Sequence, residues 1–203
     1  LRITTLLIVA NLVTYMLAAA AGDAAFVAFA LWPLGSYLDP ELGAVVGFRP
    51  WQLVTSAFLH GNLAHLALNM FGLYMFGSEV ERALGPRRYL RLYFAAVLAA
   101  ALVQLAVVST AVGERPYPTV GASGGVFGVL LAFGTLYPNR IVMLLFPPVP
   151  MPAWLMVTLF AAIELVSGVF GTRSGIAHFA HLGGMLGAWW LLRRWRRRAP
   201  WWY

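Results

Sequence analysis

The chain has no cysteine and no lysine, and only 10% of its 203 residues are charged. Without cysteine there can be no disulfide, no thiolate metal site and no cysteine nucleophile, and the redox compartment is left open. Acidic residues number seven: Asp23, Asp39, Glu41, Glu79, Glu81, Glu114 and Glu164. There is no internal repeat or low-complexity segment. A cleavable signal peptide is not expected, because the first apolar run is too long and lacks a clear cleavage motif.

What fills the chain instead is apolar: 61% of residues are hydrophobic and the mean hydropathy is +0.78. No water-soluble domain of this size needs so much apolar surface, so a membrane protein is expected. A net charge of +7 would suggest nucleic acid in a soluble protein. Here all fourteen basic residues are arginines, and most sit at the ends of apolar runs. That placement speaks for membrane topology, with no nucleic-acid partner.

Six runs are long enough, or nearly so, to cross a ~30 Å hydrocarbon core. They cover residues 3–21, 56–77, 89–110, 122–137, 152–170 and 174–192. The fourth is short, so its start is expected below the membrane surface. Residues 32–55 carry Asp39, Glu41 and Pro33, Pro40 and Pro50, and read as an interfacial loop with short helices. "PNRIVMLLFPPVPMP" is broken by prolines and reads as a membrane-edge connection. Six alternating spans put eleven arginines on one side, five of them in a basic tail over residues 193–203, against Arg49, Arg115 and Arg173 on the other. The positive-inside rule then places both termini in the cytoplasm. The expected fold is an all-α polytopic membrane protein, one domain over residues 1–203.

Against this background "TVGASGGVFG", residues 119–128, is out of place. A hydroxyl finds few partners in a bilayer, and glycine weakens a helix. The four histidines, His60, His65, His178 and His181, all fall in or at expected spans, where ionisable groups are expensive and usually mark function. His65 and Asn69 share one helix face at i, i+4. Interhelical hydrogen bonding would explain them equally well. Gly124 and Gly128 form one small-residue face, and Gly184 with Ala188 forms another beside His181. Two such faces can pack backbone to backbone, which would bring Ser123 and His181 together. Small-residue faces more often mean packing alone, and a lone serine in a span is more often a backbone-bonding residue. The shared depth of polar groups on three spans argues for a site.

Serine becomes a nucleophile when a base removes its proton, and histidine is the usual base. Of the acidic residues only Glu164 falls within a span core, and it is placed deeper than His181. A Ser123–His181 dyad is therefore expected, with the imidazole supported by Phe127. The Ser123 backbone N–H at a helix start, with His65 and Asn69, would stabilise an oxyanion. His178 could serve as base instead of His181. The small-residue stripe follows His181 at the right interval, so His178 is expected at the rim. A four-histidine metal site or transporter, and a binding relative without catalysis, are the competing classes.

At these residues the chain resembles the rhomboid family of intramembrane serine proteases. The family's GxSG serine corresponds to Gly121-Ala122-Ser123-Gly124, its sixth-helix histidine to His181, and its His-x3-Asn oxyanion pair to His65 and Asn69. His60 matches a further histidine often found there. Departures are Trp51-Gln52, where Trp-Arg is usual, and Phe127, where tyrosine is frequent. The resemblance implies a bacterial-type six-helix bundle with a long interfacial loop between helices 1 and 2, in a bacterial inner membrane. It implies cleavage of transmembrane segments of membrane proteins, with the lipid bilayer as a partner and no cofactor or metal. The fifth span, with Phe160, Val166 and Phe170, is expected to plug a lateral entry beside the second.

Overall fold

Gly22 takes φ 61° and ψ −143°, a backbone conformation that few residues other than glycine accept, and there the first apolar run ends. The computed structural model describes residues 2–110, 117–143, 148–170 and 177–198. Helix α1 (Ile3–Ala21) is followed by α2 (Asp23–Phe29), a hairpin of β1 (Tyr37–Asp39) and β2 (Ala44–Val46), and short α3 (Gln52–Thr55). Then come α4 (Leu63–Gly72), α5 (Ser78–Leu84), α6 (Pro86–Thr110) and α7 (Ser123–Leu136). A second hairpin, β3 (Ile141–Met143) with β4 (Pro150–Pro152), leads into α8 (Ala153–Phe170) and α9 (His178–Arg198). Both hairpins are antiparallel.

Among the described residues three helices are long and apolar enough to cross a membrane, Ile3–Ala21, Pro86–Thr110 and Ala153–Phe170, and Ser123–Leu136 is a shorter apolar helix. At 14 residues α7 is about 21 Å long, less than the ~30 Å of a hydrocarbon core. The outer faces of α1 and α8 are apolar and exposed, with Met16, Leu17, Ile163 and Val169 among them. In a bilayer such faces meet lipid at no cost.

Four expectations change here. The helix expected as the second span begins at Leu63 rather than residue 56, because Ser56–Phe58 is a 3₁₀ turn and Asn62 caps α4 by accepting the His65 N–H. From there α4, a π-helical segment over Leu73–Gly77, and α5 run on without leaving helical dihedrals. The 32–55 loop holds a β-hairpin as well as a helix. Asp39 Oδ1 accepts from the N–H groups of Glu41 and Leu42, and Gly43 supplies φ 59°, which closes the turn. Within the expected membrane-edge connection, Ile141–Met143 pairs with Pro150–Pro152 as strands, so the fold is not purely helical. Finally α9 carries the basic tail in its last turns to Arg198, with Arg193 over Trp189 and Arg194 over Trp190 at i, i+4. Glu114, Arg115, Arg173, the expected start of the last span at Ser174, and residues 199–203 lie outside the described residues.

Helix α6 sits at the centre and packs on α7 and α9, burying Tyr89, Leu92, Tyr93 and Ala96 completely. Small residues set the spacing. A Cβ on Gly187 would stand 2.7 Å from the Ala95 carbonyl oxygen, and one on Gly184 only 2.0 Å from that of Gly124. Helix α9 is thereby held against α6 and α7 at once. Glu81 ties α1 to the bundle, accepting from the N–H of Ile3 (2.7 Å) and the N–H (2.9 Å) and hydroxyl (2.7 Å) of Thr4. The two N–H groups are orphan donors of a helix start.

Candidate active site

The segment leading to Ser123 is pinned from several sides. Thr119 exchanges backbone hydrogen bonds with Leu31 (2.9 and 3.0 Å), and the Gly121 N–H donates to the Ser56 carbonyl at 2.9 Å. Gly121 has φ 128°, and a Cβ there would lie 2.7 Å from His65 Nε2. Glycine is required on both counts. The Ala122 N–H points to Nε2 of buried His60 at 3.5 Å, and the rings of His60 and His65 meet edge to face at 5.0 Å. Ser123 is then the first residue of α7, where the backbone N–H has no intrahelical acceptor and the helix dipole is positive.

Where Trp-Arg is usual, Gln52 provides the loop's hydrogen bonding. Wholly buried, it accepts at Oε1 from the N–H groups of Trp32 (3.3 Å) and Arg49 (3.0 Å). Its amide donates to the carbonyls of Ala28 and Gly47, and Trp51 Nε1 donates to Ala28 at 2.9 Å.

Ser123 Oγ lies 2.8 Å from His181 Nε2. The imidazole lies flat on Phe127, centroids 4.2 Å apart and planes 4° from parallel. This is the contact expected from the small-residue faces. Gly128 lies 3.1 Å, measured from a Cβ built on it, from the Gly184 carbonyl oxygen and 3.4 Å from Ala188 Cβ. On α4, Asn69 is buried and its Nδ2 donates to the His65 carbonyl at 3.0 Å. That bond uses one of its two N–H groups and leaves the other for a ligand. Behind Ser123 a cavity of about 30 Å³ is lined in part by Ser56, Gln104, Thr119 and Gly121, enough for a water molecule.

Two expectations fail. Glu164 is not below His181 but beside it: Oε2 is 2.6 Å from His178 Nδ1 and 3.0 Å from His181 Nδ1. His178 is not a rim residue either, being 9% exposed, as is His181. The reason is register. Gly168 packs on His178 and Phe179 while Glu164 reaches His178 and His181, so α8 and α9 are antiparallel and meet at these levels. Counting depth along each helix separately could not show that offset. The presence of an ionisable group in a span core was the available signal.

Glu164, His178 and His181 are the one cluster among the described residues with three ligand-type atoms within 4.8 Å of one another. Ligand atoms of a tetrahedral zinc stand roughly 3.4 Å apart. At 2.6 Å, His178 Nδ1 and Glu164 Oε2 are at hydrogen-bond separation instead. Of the residues expected to plug an entry, Phe160 packs inward on Phe127, centroids 6.5 Å apart. Val166 and Phe170 face outward, 55% and 82% exposed.

Residues 47–197 match the family model described as Rhomboid domain. The chain is 34% identical over 136 residues to "Rhomboid protein 1, mitochondrial" of Saccharomyces cerevisiae, covering 66% of this chain and 39% of that protein. It is 33% identical to "Presenilin-associated rhomboid-like protein A, mitochondrial" of Danio rerio, covering 75% and 40%. With "Rhomboid protease GluP" of Bacillus subtilis it shares 39% identity over 80 residues, 39% of this chain and 14% of the other. The chain thus spans less than half the length of these relatives.

Proposed function

The chain belongs to the rhomboid family, and from that premise we propose that it is an intramembrane serine endopeptidase that cleaves transmembrane segments of membrane proteins. The observation that carries this reading is the 2.8 Å approach of Ser123 Oγ to His181 Nε2, with the imidazole stacked on Phe127.

In this mechanism His181 Nε2 takes the Ser123 proton as Oγ attacks the scissile carbonyl. The Ser123 backbone N–H, Asn69 and His65 hold the resulting oxyanion. His181 then gives its proton to the leaving amine, and a water activated by the same imidazole releases the acyl group. His60, Gly121, Gly124, Gly128 and Gly184 position these groups without touching substrate.

Six spans in a single domain over residues 1–203, with both termini cytoplasmic, complete the proposal. The arginine distribution supports it. The mitochondrial names of two matched relatives do not favour the bacterial inner membrane expected from sequence, and membership of the family supports only an integral membrane location.

The reading is tested by incubating the detergent-solubilised protein, beside its Ser123→Ala form, with a fusion protein carrying a transmembrane segment. Cleavage by the wild type alone supports it, and equal cleavage by both forms overturns it.

A further inference from the structure

Glu164 is a carboxylate on an apolar helix, its side chain only 12% exposed. Such a group is expensive at membrane depth unless it is partnered. Its hydrogen-bonding and ionic contacts are to two imidazoles, both through Oε2: 2.6 Å to His178 Nδ1 and 3.0 Å to His181 Nδ1. The polar groups converging on His181 are Ser123 from α7, Glu164 from α8 and His178 from its own helix, with His65 of α4 across Gly121.

His181 therefore has its two nitrogens divided. Nε2 faces the Ser123 hydroxyl, and Nδ1 faces a carboxylate. Resting on the reading of Ser123 and His181 given above, we propose that Glu164 is a positioning residue that completes a Ser123–His181–Glu164 relay, with His178 anchoring its carboxylate. The step balances simply. The Ser123 proton moves to Nε2, the Nδ1 proton stays on His181, and Glu164 remains ionised throughout.

The carboxylate does two things. It favours the tautomer with Nδ1 protonated, which leaves Nε2 free to accept. It also faces the positive charge that the imidazole gains when it takes the proton, in surroundings where an unpaired charge is costly. At rest Nδ1 of His181 lies within ion-pair reach of Oε2 but does not complete a well-formed hydrogen bond. Catalytic hydrogen bonds without substrate are often poorly aligned and tighten when substrate binds. The His178 contact, the shorter of the two, holds the carboxylate in place until then.

The test compares the wild-type protein with Glu164→Gln, Glu164→Asp and Ser123→Ala in one detergent preparation. It measures kcat and KM on a transmembrane peptide and the rate of fluorophosphonate labelling. Glu164→Gln keeps the side chain's shape and removes its charge. The expected result is a fall in kcat and in labelling rate of at least about tenfold, and up to the ~10⁴ seen when a triad carboxylate is neutralised. KM should stay near the wild-type value, and Glu164→Asp should recover part of the loss. A kcat within about twofold of wild type, or a loss confined to KM or thermal stability, overturns the inference and leaves Glu164 as a tie between α8 and α9. Should Glu164→Gln fail to fold, a folded Glu164→Asp with wild-type kcat has the same consequence. Turnover that required added zinc would make the cluster a metal site and overturn the inference as well. If Ser123→Ala is inactive while Glu164→Gln is unimpaired, only the role of Glu164 fails. If Ser123→Ala is fully active, the proposed function itself fails.

Discussion

The imidazole of His181 and the ring of Phe127 lie parallel at 4.2 Å, so the orientation of the proposed base is set by an aromatic face one helix turn below the serine. A ring stacked in this way restricts the tilt of the imidazole while its two nitrogens face Ser123 and Glu164. An aromatic pair contributes ~0.5–1.5 kcal/mol beyond its buried area. If that energy goes into orientation, Phe127→Leu should lower kcat roughly two- to tenfold with KM little changed. Phe127→Tyr should stay near wild type. A Leu variant with undiminished kcat would show that the stack does not orient the base.

Close approach of α7 and α9 is the second requirement. A Cβ on Gly184 would stand 2.0 Å from the Gly124 carbonyl oxygen, whereas one on Gly61 meets nothing within 4 Å. Gly184→Ala should therefore separate the helices, destabilise the fold by ~1–3 kcal/mol or more, and abolish most activity. Gly61→Ala should melt and cleave like the wild type. Thermal unfolding in detergent, read beside cleavage, checks both variants.

Asn69 keeps one amide N–H unspent, and the proposed mechanism gives it to the oxyanion. Asn69→Ala should slow catalysis by a factor of up to ~10²–10³ and leave apparent substrate affinity nearly unchanged. A defect confined to KM would mean that Asn69 binds substrate in the ground state.

The two histidines of α9 separate by role. His181→Ala should match Ser123→Ala in severity, and the double variant should be no worse, because the two act as a unit. His178→Ala should retain substantial turnover, since the contact of His178 is with the Glu164 carboxylate rather than with Ser123. The reverse ranking in a steady-state assay would assign the base to His178.

Much of this site was legible before any coordinates, and for identifiable reasons. Ser123 and His181 are polar residues within apolar runs, and Gly124, Gly128 and Gly184 recur beside them at helical spacing, so they announce one another. The start of the second span at Leu63 could have been read from Asn62, a favourable N-cap. The hairpin at residues 37–46 had its signal in "DPELG", an Asp-Pro turn ending in glycine. The Glu164 contacts had no equivalent signal. They depend on the register between α8 and α9, which neither helix encodes alone, and depth counted from each helix end misplaced Glu164 relative to both histidines.

The central claim is that Ser123 is a nucleophile activated by His181. It is tested most directly by treating the detergent-solubilised protein with a fluorophosphonate and locating the adduct by peptide mass mapping. The account predicts a single adduct on Ser123 in the wild type, little or none in His181→Ala, and loss of proteolysis in step with labelling. An adduct confined to another residue, or labelling of Ser123 at the wild-type rate in His181→Ala, would contradict it.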